Sequence, residues 1–313
     1  MSDSDSQRSV LVTGGAGFIG SHIVDALVER NLQVLVVDDL SSGKRENVHP
    51  GAELSVLDIR SAETARVIEQ RRPSTIFHLA AQMDVRRSTE DPAFDASINI
   101  LGTLNLLNAA VKTGVDQFIF ASTGGAIYGE QDVFPAPEDH PERPVSPYGV
   151  SKLAGERYMY YFNVQYGLNV ACLRFANVYG ERQNPHGEAG VVAIFLKLLS
   201  ENKPPVINGD GLQTRDYVHV SDVVNANMAV MGLEGFDIFN VGTGIETTVV
   251  DLFEGLRSAA GSRLDASHGP AKPGEQRRSC VDASKLRTEL DWPDPMQLRV
   301  GLQRTANWFR DNT

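Results

Sequence analysis

The chain lacks most of what a secreted, metal-binding or membrane-spanning protein needs. Two cysteines, Cys172 and Cys280, stand among 313 residues. They are too few and too scattered for a disulfide scaffold or for zinc-ligand spacing, and no metal is expected. Cys172 lies in the apolar run Val170–Leu173, the setting of a buried free thiol. No apolar run approaches the ~18 residues that cross a bilayer. The opening MSDSDSQRS is polar and acidic, without the apolar centre of a signal peptide. Residues 1–8 read as a frayed tail, and the cytoplasm as the setting. Positive charge is scarce too. Against 40 Asp and Glu there are 29 Lys and Arg, a net charge of -11, which disfavours a nucleic-acid or anionic-membrane partner. A small anionic ligand met by a local arginine cluster stays open.

What is present is an ordinary globular mixture, 42% apolar and 22% charged, long enough for two lobes. Short apolar runs at Ser9–Thr13, Val34–Val37, Leu54–Leu57, Thr75–Leu79, Phe118–Ala121 and Asn169–Phe175 alternate with helical patterns. The clearest of these helices fall near 19–27, 61–72, 98–112 and from Tyr148 to about Gln165. That alternation predicts an α/β, Rossmann-type, doubly wound parallel sheet. The loop 122–147 is Pro-rich and too long for an idle connection. After Asn177 the order weakens, with helices expected near 191–199, 222–232, 249–260 and 298–310, and a strand at Ile238–Val241. This suggests a smaller, interleaved α/β C-terminal lobe. The expected division is 1–176, with 216–242 returning to it, against 177–215 and 243–313.

The sharpest local signal is Gly14-Gly15-Ala16-Gly17-Phe18-Ile19-Gly20, directly after a strand and opening a helix. Gly14 permits a tight turn, Gly17 lets a pyrophosphate approach the backbone at the helix N-terminus, and Gly20 allows close helix–strand packing. Asp38 ends the second strand, where a carboxylate accepts from ribose hydroxyls and repels a 2′-phosphate. An NAD-type dinucleotide is the ligand implied. The loop from Asp39 to Arg45 adds polar groups at the adenosine end, and Asp58 is placed either to meet the adenine amino group or to cap a helix.

Tyr148 and Lys152, four apart in SPYGVSK, share one helical face. An ammonium beside a phenol favours the phenolate and lowers a pKa that is ordinarily about 10. Such a tyrosine takes the proton of an alcohol as hydride leaves its carbon. A hydroxyl at the end of the fifth strand, Ser122 or Thr123, would hold the substrate oxygen.

These motifs together resemble the extended short-chain dehydrogenase/reductase family, and within it the UDP-glucose 4-epimerase group. The matching segments are Thr13–Gly20, His78-Leu79-Ala80-Ala81-Gln82, Asn99–Thr103, Tyr148–Lys152, Leu173–Gly180 and Arg215–Val224, and the resemblance covers essentially the whole chain. It implies that Tyr148, Lys152 and Thr123 are catalytic, and that NAD is held by Gly14, Gly17, Phe18, Ile19, Gly20, Asp38, Asp39, Ser42, Gly43, Asp58, Ile59, Leu79, Ala80, Ala81, Gln82, Asn99, Tyr148 and Lys152. It also implies a UDP-sugar substrate. Thr123, Tyr148, Asn177 and Arg215 would meet its sugar and phosphates, Val206, Ile207 and Asn208 would lie near the uracil, and Lys272 or Arg278 would clamp phosphate. The small Ser279 suggests room for an N-acetyl group.

Related dehydratases carry an Asp-Glu pair after the strand-end hydroxyl, where this chain has Gly124-Gly125. The reaction implied is interconversion of UDP-glucose and UDP-galactose through a 4-keto sugar, in a homodimer joined by helices near 98–112 and 148–165. The alternatives are a UDP-N-acetylhexosamine or UDP-glucuronate 4-epimerase and, from another class, a non-catalytic NAD-binding sensor or scaffold. Arg86 and Arg87 read as a solvated face or a contact to a sugar carboxylate, His219 as structural, Asn177 alternatively as a strand-end cap, and Arg215 alternatively as a partner of Asp216. Glu181 to Pro185 would line the sugar pocket or merely turn the chain.

Overall fold

The protein is described here by a computed structural model covering residues 9–186, 190–272 and 276–312. The N-terminal tail, residues 1–8, lies outside the described residues.

The chain opens with β1 (Ser9–Thr13), α1 (Phe18–Glu29), β2 (Gln33–Asp38), β3 (Glu53–Val56), α2 (Ala62–Arg71) and β4 (Thr75–His78). Two short helices, α3 (Val85–Glu90) and α4 (Pro92–Ala96), lead through a π-turn at Ser97–Gly102 into α5 (Thr103–Thr113). Then come β5 (Gln117–Thr123), the single turn α6 (Gly124–Ile127), α7 (Pro147–Tyr166) and β6 (Asn169–Phe175). The remainder is β7 (Asn177–Tyr179), α8 (Val191–Ser200), β8 (Val206–Asn208), β9 (Thr214–His219), α9 (Val220–Ala229), β10 (Phe236–Val241), β11 (Glu246–Thr248), α10 (Val249–Ala259), β12 (Ser267–Gly269), α11 (Ser284–Leu290) and α12 (Leu298–Asn312).

Seven strands form one sheet in the order β10-β6-β5-β4-β1-β2-β3. The pairs β1/β2, β2/β3, β1/β4 and β4/β5 are parallel, with Val12 opposite both Val36 and Phe77. Strand order reverses beside β1, so the turn after β1 sits at the switch point where α/β sheets bind ligands. Two small sheets, β11-β9-β7 and β12-β8, complete the Rossmann-type fold with its smaller mixed lobe.

By compactness the chain forms two units. One runs to Thr123 and adds Pro144–Leu173 and Asn227–Phe239; the other comprises Gly124–Arg143, Arg174–Ala226 and the chain from Asn240. The first has a core around Leu11, Ile76, Leu107, Phe118, Phe120 and Val170. The core of the second gathers Tyr179, Leu196, Tyr217, Leu252, Leu302 and Phe309. Both cysteines are buried and form no disulfide, and burial, then the nearby Asp216 charge, pushes the Cys280 thiol up to about 12. No described helix is long and apolar enough to cross a membrane.

Two differences from the sequence reading have local causes. The expected helix 98–112 is continuous only from Thr103, because the π-turn inserts ahead of it. Gly102 is there for packing, since a Cβ would lie 2.7 Å from Ile59 Cδ1. The strands β7, β8, β9, β11 and β12 escape the hydrophobic pattern because they are short and carry polar or charged residues such as Asn177, Arg215 and Glu246.

Candidate active site

β1 delivers the chain to Gly14, whose φ of +71° suits glycine and whose N–H donates to Val37 O at 2.9 Å. A Cβ on Gly14 would lie 2.7 Å from Ala80 N, and one on Gly20 would run into the Gly14 carbonyl. Gly17 is the N-cap of α1, and no side chain caps that helix. Its first turn also carries no acidic residue. The helix dipole and first N–H groups are thus left for an anion. Gly14, Gly17, Phe18 and Ile19 are partly exposed, whereas Gly20 is buried. This donor set fits a dinucleotide pyrophosphate.

Behind the turn, Thr13 Oγ1 meets His78 Nδ1 at 2.7 Å, and His78 Nε2 meets Thr103 Oγ1 at 2.8 Å. Burial, and then the Lys152 charge, pulls His78 down to about 3, so the ring is neutral and ties β1 and β4 to α5. At the adenosine end, Asp38 Oδ2 accepts from Ala16 N at 3.0 Å and Oδ1 from Leu40 N at 2.9 Å. Burial nonetheless raises this carboxyl above its usual range. Gly43 packs against Asp38, Lys44 N donates to Ala16 O, and Asp39 accepts from both the N–H and the hydroxyl of Ser41. Ser42 is exposed beside them. Asp58 is gripped by the Arg60 guanidinium, which holds its carboxyl below the usual range. Ser61, not Asp58, caps α2, accepting from Thr64 N at 3.2 Å. Ile59 is buried beneath Gly102.

The end expected to be catalytic is built on the first turns of α7. Ser146 caps the helix by accepting from Gly149 N, and Pro147 starts it without an N–H to satisfy. Tyr148 follows, half-buried. Lys152 is buried, donates from Nζ to Ala121 O at 2.9 Å, and lies 5.9 Å from the centroid of the Tyr148 ring and 4.9 Å from that of Phe120. The spacing of four thus does set the pair together. The sign of the tyrosine shift differs from the sequence expectation, however. Burial, and then the charge of Asp95, holds the Tyr148 phenol well above its ordinary range. Burial likewise pushes Lys152 down to about 8, against the support of Asp95 and Glu156. Losing water costs each charged form more than the two gain from one another.

Ser122 Oγ donates to Glu156 Oε1 at 2.6 Å, and both are buried. Thr123, the next residue along β5, is half-buried. Nearby, Gln82 and Asn99 exchange two bonds: Gln82 N donates to Asn99 Oδ1, and Asn99 Nδ2 donates to Gln82 O, both at 2.8 Å. Leu79 N donates to Thr13 O and Ala80 N to Thr13 Oγ1, while Ala81 is half-buried between them and Gln82. Arg87 is exposed and stacks 4.1 Å from the Phe94 ring centroid, and Arg86 is exposed beside it in the chain.

The residues expected to meet a nucleotide sugar, apart from Thr123 and Tyr148, lie in the second unit. Asn177 is exposed at the start of β7. Arg215 is half-buried on β9, with Nη1 donating to Thr214 O at 2.7 Å. Its neighbour Asp216 accepts from the N–H and hydroxyl of Thr243 and from Gly244 N. The segment 277–279 runs beside β9, with Thr214 N donating to Arg277 O and Asp216 N to Ser279 O, each at 3.0 Å. Arg278 pairs with Glu246 through Nε at 2.9 Å and lies 3.7 Å from the Phe134 ring centroid, while Arg277 grips Asp210. Lys272 is exposed. On β8, Val206 is exposed, Ile207 is buried opposite His268 of β12, and Asn208 is half-buried. His219 is buried, with Nδ1 against Ser221 Oγ at 2.8 Å and Nε2 3.3 Å from Glu181 Oε2. Glu181 also receives Arg304, so this acid has a structural task.

The sequence profile of the NAD dependent epimerase/dehydratase family matches residues 10–242. The chain belongs to that family. It is 45% identical over 303 residues to a putative UDP-glucose 4-epimerase of Methanocaldococcus jannaschii, covering 97% of this chain and 99% of the relative. Among solved structures it is similar to the Thermotoga maritima UDP-glucose 4-epimerase with UDP-glucose (47% identity, TM-score 0.94, 97% and 99% of the two chains). A further match is the Thermus thermophilus UDP-glucose 4-epimerase with NAD (43% identity, TM-score 0.93, 97% and 100%).

In this epimerase/dehydratase family member, four side chains around Tyr148 and Lys152 had no assigned role in the sequence reading: His78, Asp95, Ser151 and Glu156. For Glu156 a signal existed, since Tyr148, Lys152 and Glu156 recur at intervals of four along α7. His78, Asp95 and Ser151 each meet a partner 13 to 65 residues distant, which no local spacing reveals, although Asp95 and Asn99 are also an i,i+4 pair.

Proposed function

We propose that this chain is a UDP-glucose/UDP-galactose 4-epimerase that holds its NAD between two opposed half-reactions. The observation that carries the choice within the family is at the end of β5. Gly124-Gly125 follow Thr123 and offer no acid or base for eliminating water. A Cβ on Gly124 would already lie 2.6 Å from Val281 Cγ1, so an aspartate there would be forced against buried packing. The UDP-glucose 4-epimerase names of the relatives support the same reading.

Gly14, Gly17, Phe18 and Ile19 would hold the pyrophosphate, and Asp38 the adenosine ribose with Asp39, Ser42, Gly43 and Asp58 near it. Leu79–Gln82, Asn99 and Lys152 would lie toward the nicotinamide. When bound, NAD⁺ supplies a hydride acceptor at the sugar carbon and a positive charge that favours a neighbouring phenolate. Tyr148 then takes the proton of the 4-hydroxyl at its own oxygen and later returns it, while Thr123 holds that sugar oxygen. Lys152 keeps a positive charge beside the phenol. The high pKa that burial imposes on Tyr148 suits the return step, since a strongly basic phenolate regains its proton readily. Arg215 and Asn177, with Arg278 or Lys272, would anchor the nucleotide phosphates as the keto sugar turns over.

The setting proposed is cytoplasmic, and the assembly a homodimer through α5 and α7. The latter exposes Val150, Tyr158, Tyr161 and Val164 along its length. Light scattering of the purified protein tests that assembly: twice the chain mass is expected, and a monomer contradicts it. Product analysis over a panel of UDP-sugars tests the reaction. Interconversion of UDP-galactose and UDP-glucose is the expected result. A 6-deoxy-4-keto product, or preference for N-acetylated or glucuronate sugars, would overturn the assignment.

A further inference from the structure

Asp95 is fully buried at the end of α4, and neither the motifs nor the proton transfer above uses it. Its Oδ1 accepts two side-chain bonds, from Gln82 Nε2 at 3.1 Å and from Asn99 Nδ2 at 3.0 Å. Its Oδ2 is buried without a hydrogen-bond partner among the described residues. A native fold seldom keeps such a group without a use for it.

The two amides form a compact lattice around this carboxylate. Besides exchanging main-chain bonds with Asn99, Gln82 closes its own loop, accepting from Asp84 N at 2.7 Å and donating to Asp84 O at 2.8 Å. Asn99 Nδ2 also reaches Ser151 Oγ at 3.2 Å, and Ser151 Oγ donates to Tyr148 O at 3.0 Å. A path of polar contacts therefore runs from Asp95 through Asn99 and Ser151 to the backbone of Tyr148. A second strut, Ser88 Oγ accepting from Tyr148 N at 3.3 Å, holds the other side of the same residue.

The π-turn is an independent sign that this region is built for position. Single π-turns interrupt helices at functional sites because they re-aim side chains at a cost in regular hydrogen bonding. Here Ser97–Gly102 re-aims Asn99, while Thr103 Oγ1 donates to the Asn99 carbonyl at 2.7 Å. An apolar residue at position 95 would leave one buried Gln82 donor unmet and would take from Asn99 Nδ2 one of the three acceptors its two hydrogens share.

We propose that Asp95 is a positioning residue: its carboxylate locks Gln82 and Asn99, and through Ser151 the first turn of α7, so that Tyr148 is held in register with the reacting sugar oxygen. A misplacement of about 1 Å at such a site costs on the order of a hundredfold in rate.

The inference rests on the epimerase reading only in using its turnover as one readout. Asp95→Ala and Asp95→Asn are compared with the unaltered protein by UDP-galactose kinetics and by amide hydrogen exchange of the ligand-free protein. Asp95→Ala is expected to lower kcat by at least about tenfold, with KM within about twofold. It should also speed exchange at residues 79–84 and 97–103. In Asp95→Asn the amide oxygen replaces Oδ1 as acceptor, and both kcat and exchange should return to within about threefold of the unaltered protein. Unchanged exchange and kcat in Asp95→Ala would overturn the proposal. So would an Asp95→Asn variant with native exchange but tenfold lower kcat, a result that decides the matter even if Asp95→Ala does not fold. Absence of turnover in the unaltered protein counts against the epimerase reading alone, and the exchange comparison then judges Asp95.

Discussion

Ser122 donates its hydroxyl hydrogen to Glu156 across 2.6 Å inside the protein, one turn beyond Lys152 on α7. That bond separates the two adjacent hydroxyls at the end of β5. Ser122→Ala would leave a buried carboxylate short of a donor and should cost about 1–3 kcal/mol of stability, with kcat held within about threefold. Thr123→Ala should lower kcat on the order of a hundredfold with little change in melting temperature. Kinetics and thermal denaturation of the two variants check this. A larger loss of activity in Ser122→Ala than in Thr123→Ala would contradict the assignment.

Lys152 makes a testable trade between stability and activity. Burial lowers its folded-state pKa to about 8 from 10.5, so between those values the unfolded chain binds the extra proton. Stability should therefore rise with pH through that window, and the ammonium is a burden to the fold below it. Lys152→Met should stabilise the protein at pH 7 by about 2 kcal/mol, from a shift worth about 3 less about 1 for the lost bond to Ala121. It should also abolish most turnover. Denaturant unfolding at pH 7 and pH 10 measures this. The variant's advantage should shrink at the higher pH, and a constant or growing advantage would contradict the account.

Gly17 and Gly20 should fail for different reasons. A Cβ on Gly20 collides with the Gly14 carbonyl, whereas one on Gly17 meets only that carbonyl, at 3.2 Å. Gly20→Ala should destabilise the fold by about 1–3 kcal/mol through overpacking. Gly17→Ala should leave melting of the NAD-free protein nearly unchanged and lower the NAD content of the purified protein. Equal cofactor content in Gly17→Ala and the unaltered protein would show that the turn does not approach the pyrophosphate.

The phosphate clamp should fall to Arg278 rather than Lys272. Arg278 is a planar cation stacked on Phe134, while Lys272 is exposed and its charge is compact. Arg278→Ala should raise KM for UDP-galactose by roughly tenfold or more, and Lys272→Ala by less than about threefold. Steady-state kinetics of both variants decide it, and the reverse ranking would move the clamp to Lys272.

What was legible in the sequence was local. The glycine turn, Asp38 at the end of β2 and the Tyr148/Lys152 pair each depend on spacing within one strand–turn–helix unit or one helix face, and the structure sets each where spacing places it. The parallel sheet was legible for the same reason, because buried strands such as Val34–Val37 are nearly all apolar. What was hidden depends on long-range company. Asp95 carries no signal in the sequence, and its role shows only once Gln82 and Asn99 close around it. The partners of Arg277 and Arg278, Asp210 and Glu246, lie 67 and 32 residues away, beyond any local spacing. The direction of the Tyr148 shift was hidden because spacing reports a neighbouring charge and not the loss of water.

The central claim is that hydride leaves the sugar C4 and comes back to it without meeting solvent. The direct measurement uses UDP-galactose deuterated at C4, incubated in ordinary water with the purified protein, the product being read by mass spectrometry and NMR. The account predicts UDP-glucose with deuterium still at C4 and no label in the water. Product lacking the deuterium, or no UDP-glucose at all with NAD⁺ in excess, would contradict it.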